Sequence, residues 1–300
     1  MKQKLIKKTV EVNKSINEVS NRLKSMSNDK VTVICSGNNS NEEIEAIKEF
    51  AKANNYNLAL YTDNFTNYDG EVATYDDVDN ASFIFIIGEI FDNPLVARRV
   101  IHAHRKGTEI CAIGDLENCV TKTLSDYTCV ESISEYLDNF NLDQLDENSV
   151  ILFNKIESPD DFEKIKTIAG KYNSKILPVF SKSNSKGALE FVEAKSKEEM
   201  IDLITNSGLL LIFNDDILTE FNLSPNDVTT MISISPVIND TVEASEVVVP
   251  TANWLECEGS FTNAMGTTKY INPVIEAADD ILTGIEIINQ IQEELKWNIY

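Results

Sequence analysis

Residues 31–61 read VTVICSGNNSNEEIEAIKEFAKANNYNLALY, and this stretch decides the fold. It predicts a strand over Val31–Cys35, a helix over about residues 42–54 and a second strand over Leu58–Tyr61. One face of the predicted helix is apolar and is formed by Ile44, Ile47, Phe50 and Ala51. Two short apolar strands on either side of an amphipathic helix are typical of a βαβ unit, whose strands run in parallel.

The second half of the sequence repeats this unit at a constant offset of 118 positions, the distance from Ile44 to Phe162. The same offset brings both strands onto apolar runs that contain Ile151 and Ile176. It brings the apolar helix face onto Phe162, Ile165, Ile168 and Ala169. Ser158 followed by Pro159 is a favourable cap and first-turn pair for the second helix. A helix and two strands in one register indicate a duplicated unit.

Further apolar runs extend each half of the predicted sheet structure. In the first half they are Ala81–Gly88 and Thr108–Gly114, joined by a helix over about residues 94–106. Their expected counterparts in the second half are Gly208–Asn214, Thr229–Ser235 and Val247–Val249, followed by a last helix over about residues 279–296. We therefore expect an α/β fold in which duplicated βαβ units form two Rossmann-like, mainly parallel sheets flanked by helices.

The expected division is linear, although the two halves of such a fold can also interleave. The first half covers residues 1–147 and includes a basic N-terminal helix over Val12–Met26, and the second covers residues 148–300. The acidic, weakly apolar stretch Asp138–Asn148 is the expected linker between them.

The charge of the chain excludes several classes of partner. Its 26 basic and 49 acidic side chains give a formal net charge of −23. Residues 1–30 carry +5, so the remainder carries −28. Nucleic acids and anionic membranes attract clustered Lys and Arg, so neither is an expected direct partner. Five scattered cysteines and the lack of an apolar run of roughly 20 residues predict a cytoplasmic protein without membrane insertion.

The sequence lacks the usual motifs of a self-contained catalytic site. No G-x-G-x-x-G or G-x-x-x-x-G-K-[ST] loop is present, and no C-x-x-C pair is available to hold zinc or an iron–sulfur cluster. His102 and His104 are two positions apart on a predicted helix, so they cannot bind one metal together. The neighbouring basic residues predict either a docking patch for an anionic group or complementation of the helix dipole. We therefore predict no catalytic residue and no metal ligand.

The most distinctive stretch is residues 244–263, which read ASEVVVPTANWLECEGSFTN. It resembles the A-D-V-V-L-P-x-x-x-x-x-E-x-x-G-T-[FV]-T-N pattern of molybdopterin oxidoreductases. Other segments resemble the same family and follow in its order. They are Asn41-Glu42-Glu43, the Gly88 to Pro94 loop with Arg98-Arg99 beyond it, and the N-S-K-G-A run within Ser183–Ala188. The resemblance spans nearly the whole chain.

The family includes formate dehydrogenases, formylmethanofuran dehydrogenase and the large iron–sulfur subunit of respiratory complex I, an NADH dehydrogenase. The resemblance implies a site for a molybdopterin nucleotide carrying molybdenum or tungsten. The residues that match its cofactor-binding positions are Gly88, Asn93, Glu256, Gly259, Thr262 and Asn263. It also implies that the chain corresponds to the central α/β domains, without the family's N-terminal cluster domain and C-terminal β-barrel domain.

Several departures from the family pattern weaken the expected cofactor site. Residues 62–80, where formate dehydrogenases place a metal-ligating Cys or selenocysteine, contain no Cys. Glu89, Ile90 and Phe91 occupy the loop in which pyrophosphate prefers backbone N–H groups and positive charge. Thr267 stands where the family commonly has an arginine. We therefore expect no cofactor on this chain alone.

The resemblance leaves two complex-based functions open, neither of which makes the chain catalytic by itself. The first is a non-catalytic scaffold subunit of a multi-subunit redox complex, similar to the corresponding part of the large complex I subunit, with an iron–sulfur subunit as the expected partner. The alternative is one part of a split formate or formylmethanofuran dehydrogenase-like oxidoreductase, which would contribute part of the pterin site. A third hypothesis is a free-standing small-molecule binder that uses the crevice at the carboxyl ends of the strands.

Overall fold

The computed structural model describes residues 4–5, 12–62, 72–91, 93–114, 121–130, 132–140, 143–154, 156, 158–278 and 281–296. In chain order the strands are β1 (Lys4–Leu5), β2 (Val31–Cys35), β3 (Asn57–Leu60), β4 (Phe83–Ile87), β5 (Glu109–Gly114), β6 (Asp126–Cys129), β7 (Val150–Phe153), β8 (Lys175–Pro178), β9 (Leu209–Phe213), β10 (Thr230–Ser235), β11 (Val237–Ile238), β12 (Val247–Pro250), β13 (Gly259–Thr262) and β14 (Thr268–Ile271).

Helices connect these strands. They are α1 (Val12–Ser25), α2 (Asn41–Asn54), α3 (Tyr75–Asp79), α4 (Pro94–Arg105), α5 (Thr121–Leu124), α6 (Ile133–Asp138), α7 (Pro159–Tyr172), α8 (Ser185–Phe191), α9 (Lys197–Asn206), α10 (Ile217–Phe221), α11 (Asp240–Ala244) and α12 (Gly284–Lys296). Among the described residues, none of the helices has both the length and the apolar character needed to cross a bilayer.

Two five-stranded sheets form the centre of the fold, and every strand pairing within them is parallel. One sheet has the order β12-β10-β9-β2-β3 and the other the order β6-β5-β4-β7-β8. Strands β2, β4, β7 and β9 are buried at every residue, as expected for parallel strands covered on both faces. The predicted fold class, two mainly parallel sheets flanked by helices, is confirmed.

The chain divides into two compact units that interleave along the sequence. Unit 1 comprises Met1–Tyr61, Lys182–Asn263 and Thr268–Tyr300, and unit 2 comprises Thr62–Ser181 and Ala264–Thr267. This division differs from a linear one after residue 147, because β7 pairs with β4 of the first half, whereas β9 pairs with β2. Each duplicated βαβ unit is thus completed by strands that come from the other half of the chain.

Because the units interleave, the stretch that was expected to link the two halves lies inside unit 2. Residues 138–148 connect α6 to β7 inside unit 2, and Leu145 is buried in its core. The last helix begins at Gly284, later than expected, because Leu282 pairs with Thr251 in an isolated bridge. Thr283 then accepts the Glu286 N–H and fixes the start of the helix.

The duplicated helices match in detail. Helices α2 and α7 have 14 residues each and start 118 positions apart, as do strands β3 and β8. Both helices end on an asparagine in the left-handed conformation, Asn55 with φ 54° and Asn173 with φ 55°. Asparagine tolerates this conformation better than most residues, and such a cap satisfies carbonyl groups left free at a helix end.

We predict that Asn173→Val lowers the free energy of unfolding by about 1–2 kcal/mol, because a β-branched side chain clashes with the backbone at positive φ. Asn173→Gly is the matched control and should leave stability close to that of the parent protein. Urea unfolding followed by circular dichroism measures both. Equal stability of the valine and glycine variants would contradict this account of the cap.

Candidate functional site

A cleft opens at the carboxyl edge of the unit 1 sheet, beside the loops that follow β2 and β9. Strand β2 has β3 on one side and β9 on the other, so the order of connection reverses between β2 and β9. Open α/β sheets bind ligands at such a switch point. Asn38 and Asn214 join the two loops, since the amide of each donates to the backbone carbonyl of the other, at 3.1 and 3.2 Å.

Lys182 is the central charged group of the cleft. Its ammonium donates to Asp215 at 2.8 Å and lies 3.2 Å from Glu220. The Lys182 and Asp215 side chains are only 12% and 6% exposed, so the ion pair is largely shielded from water. Burial opposes the charged form of Lys182, but the two carboxylates outweigh it and raise the pKa of Lys182 above its usual range.

Apolar side chains also line the cleft. The cleft has a volume of about 1010 Å³, and Trp254, Phe261 and Ile271 line it. Its charged lining residues are Lys182, Asp215, Asp216 and Glu220, one positive and three negative, which gives a net charge of −2. Such a lining favours a cationic group or a hydrogen-bond donor over an anion. No histidine is among the described residues that line the cleft, so the lining offers no histidine base beside a nucleophile.

Four of the residues matched to cofactor-binding positions, Glu256, Gly259, Thr262 and Asn263, lie in unit 1 around β13. There Thr262 joins a buried hydrogen-bond network. The Asn184 amide donates to the Asn39 carbonyl at 2.9 Å and to Asn41 Oδ1 at 3.0 Å, and its oxygen accepts the Thr262 N–H at 2.7 Å. The Asn41 amide donates to the Thr262 hydroxyl at 3.1 Å. Three of the segments that carry the family resemblance thus meet and bond to one another.

Gly259 and Glu256 also make contacts within the protein. A Cβ on Gly259 would lie 2.7 Å from the Cβ of Ser40, so the glycine allows β13 to approach the start of α2 closely. Glu256 accepts the Asn253 N–H at 2.9 Å and closes the turn before β13. Asn263 is half-buried at the end of this strand. These contacts are intramolecular and hold β13 in place.

The Ser260 N–H and hydroxyl donate to Glu42 at 2.8 and 2.6 Å and tie β13 to the first turn of α2. Burial works against the charge of Glu42, but the hydrogen bonds outweigh burial, so the pKa of Glu42 lies below its usual range. A negative carboxylate at this position also suits the positive N-terminal end of α2.

The other two matched residues, Gly88 and Asn93, lie in the loop after β4 of unit 2. Gly88 has φ 88°, and a Cβ there would lie 2.7 Å from the carbonyl oxygen of Asn154. Asn93 caps α4 by accepting the Val96 N–H at 3.3 Å, and its amide donates to the Phe180 carbonyl at 3.3 Å. The Asn154 amide donates to the Glu89 carbonyl at 2.6 Å. The Asn154 carbonyl thus occupies the space beside Gly88 and Asn93 serves as a helix cap, so these two residues are a poor fit for a pyrophosphate group.

Two basic residues of α4, Arg99 and His102, and Lys106 just after the helix are bound internally. His102 Nδ1 lies 3.1 Å from Asp79, Arg99 pairs with the same carboxylate, and Lys106 donates to the Asp79 carbonyl at 2.8 Å. Asp79 is the last residue of α3. These contacts join α3 to the C-terminal half of α4 and favour the structural interpretation of the basic cluster over a docking patch.

The described cysteines Cys35, Cys111, Cys129 and Cys257 are free thiols, and Cys119 lies outside the described residues. Burial raises the pKa of Cys35 to about 12, so this thiol is inert at neutral pH. Within the described ranges, no three His, Cys, Asp or Glu side chains are placed to hold a metal ion.

The sequence analysis did not identify Lys182, Asp215 and Glu220. The sequence signal that could have identified the cleft was the pair Asp215-Asp216, which follows the buried strand β9 after Asn214. Lys182 is 33 positions away from Asp215 in sequence, so no local motif connects them.

The chain matches no protein-family model and no curated protein sequence. It is similar to a chain in the structure of the formyltransferase/hydrolase complex (FhcABCD) from Methylorubrum extorquens in complex with methylofuran. That match has a TM-score of 0.64 and 10% identity, and it covers 98% of both chains. It is also similar to acetylene hydratase from Pelobacter acetylenicus, with a TM-score of 0.56 and 9% identity, covering 98% of this chain and 60% of that one. At these identities the likeness establishes a shared fold.

We predict that Lys182→Met lowers the free energy of unfolding by about 3–5 kcal/mol, because it leaves Asp215 and Glu220 without their shielded counter-charge. Lys24→Met removes an exposed lysine on α1 and is the control, with an expected change within about 0.5 kcal/mol. Chemical denaturation measures both variants. A loss below about 1 kcal/mol for Lys182→Met would show that the ion pair is not shielded as described.

Proposed function

We propose that the chain is a non-catalytic subunit of a multi-subunit complex of the formyltransferase/hydrolase type. The match to a chain of FhcABCD supports this, because it extends over 98% of both chains, whereas the match to acetylene hydratase leaves 40% of that enzyme without a counterpart. A fold match alone does not define a function, so the contacts of the candidate residues have to carry the proposal.

The observation that carries the proposal is that the residues matched to cofactor-binding positions make contacts within the protein itself. Gly259 and Thr262 bind β13 to α2 and Asn184, and Asn93 caps α4. A residue that satisfies buried groups of its own fold cannot donate the same bonds to a pterin nucleotide without leaving those groups unpaired, at about 1–3 kcal/mol for each. The family motifs therefore keep a structural role on this chain.

A split molybdopterin oxidoreductase is the second candidate, and the resemblance of residues 244–263 favours it. In that case Gly88, Asn93, Glu256, Gly259, Thr262 and Asn263 would contribute part of the pterin site. The close approach of the Asn154 carbonyl to Gly88 and the hydrogen-bond network at Thr262 argue against this role. A scaffold similar to the large iron–sulfur subunit of respiratory complex I has no separate support beyond the same resemblance.

The proposed partners are the other subunits of the complex, among which an iron–sulfur subunit is a candidate, and the proposed location is the cytoplasm. The uneven charge supports a protein partner for the basic N-terminal residues 1–30, which carry +5 in a chain of −23. Electrostatic attraction of this kind accelerates association and selects partners of opposite charge.

The test is purification of the native assembly through an affinity tag on this chain. We expect this chain and other subunits at a fixed stoichiometry by native mass spectrometry. Asn93→Ala removes a helix cap and should cost about 1 kcal/mol of stability. It should leave the molybdenum, tungsten and extractable pterin content per assembly unchanged.

Two results would contradict the proposal. The first is a wild-type chain that purifies alone under native conditions. The second is metal and pterin in the assembly that are lost in Asn93→Ala while the subunits stay together, which would support the split enzyme instead. Ser132→Ala, which removes the cap of α6, is the matched control for the loss of a helix cap.

A further inference from the structure

Three large exposed apolar side chains of unit 1 lie at or next to the turn that borders the cleft and form what we call the Trp254 patch. Trp254 is 62% exposed, Val274 74% and Ile275 49%. Monomeric proteins seldom gather large exposed apolar side chains in one place without a binding role. Leu95, which is 60% exposed, belongs to unit 2.

Backbone hydrogen bonds fix the shape of the patch. The N–H groups of Val274 and Ile275 both donate to the Leu255 carbonyl, at 2.8 and 3.1 Å, which holds their segment against the turn that carries Trp254. The patch is therefore preorganised, and a partner would lose little conformational entropy in ordering it.

Acidic residues adjoin the patch in the sequence. Glu256, Glu258 and Glu276 are within four positions of a patch residue and Lys269 is five positions before Val274, a net charge of −2 over these four positions. Trp254 also lines the cleft, whose own charged lining sums to −2. The apolar side chains are thus bordered by negative charge on the protein surface and in the cleft.

The apolar patch and its acidic neighbours are complementary to one kind of partner. A second copy of the chain would bring the same acidic border against itself in a two-fold contact, and like charges across an interface are repulsive. Nucleic acid and anionic lipid would be repelled for the same reason. A protein surface that presents apolar side chains together with Lys or Arg matches the patch in both polarity and charge.

We infer that the Trp254 patch is the docking surface for another subunit, whose contact face is apolar and basic and places an Arg or Lys side chain in the cleft. This inference rests on the proposed function, since it names the surface through which the chain joins its complex. Tryptophan, tyrosine and arginine are the residues that most often dominate binding energy at interfaces. A cation at the mouth of the cleft would meet the face of Trp254 and the net negative charge of the cleft lining.

The experiment measures binding of the purified full chain to the remaining subunits of its native complex. Trp254→Ser should weaken the affinity by about 30-fold, and Val274→Asp by at least tenfold. Glu276→Lys should weaken it several-fold and reduce the dependence on salt concentration. Leu95→Ser is the matched control, because it truncates an equally exposed apolar side chain in unit 2.

The outcomes separate this inference from the proposed function. Wild-type assembly that is unaffected by Trp254→Ser and Val274→Asp overturns the docking surface and leaves the subunit proposal intact. A wild-type chain that binds no other subunit overturns both. A homodimer that dissociates on Trp254→Ser, or an equal effect of Leu95→Ser, overturns the assignment to a basic partner subunit. Because Trp254 and Leu95 are exposed, circular dichroism should show unchanged folding for both serine variants.

Discussion

The buried hydrogen bonds among Asn41, Asn184 and Thr262 are the constraint on which unit 1 depends. They join the start of α2, the residue before α8 and the end of β13, which are separated by up to 221 positions in sequence. Buried amide groups must be paired, because each unpaired group costs about 1–3 kcal/mol. Asn184 uses both ends of its amide for this purpose, so the three segments are fixed in one relative arrangement.

This network gives the segments that resemble an enzyme family a structural role. The matching segments lie where three loops converge at the end of a sheet, and their bonds hold those loops together. The same residue types can then serve to pack these loops together, without binding a cofactor. The cleft beside them contains a shielded Lys182–Asp215 pair and a net negative lining, which suits a positively charged group better than an anionic nucleotide.

Local patterns in the sequence predicted most of the fold. The apolar face of α2 and its repeat in α7 gave correct helices, because burial of one face imposes a period of 3.6 residues. The pairing of β2 with β9 and of β4 with β7 could not be predicted in this way, since a buried parallel strand has the same apolar run whichever neighbour it pairs with. The cleft could not be predicted either, because Lys182, Asp215 and Glu220 become neighbours only after folding.

The central claim is that the motif residues bind one another and that this bonding is their role. A double-mutant cycle of Asn41→Ala and Asn184→Ala, read by the free energy of unfolding, tests it most directly. If the two amides share one buried network, their effects should be non-additive, with a coupling energy of about 1–3 kcal/mol. Additive losses within about 0.5 kcal/mol would show that the two residues act independently and would contradict the account.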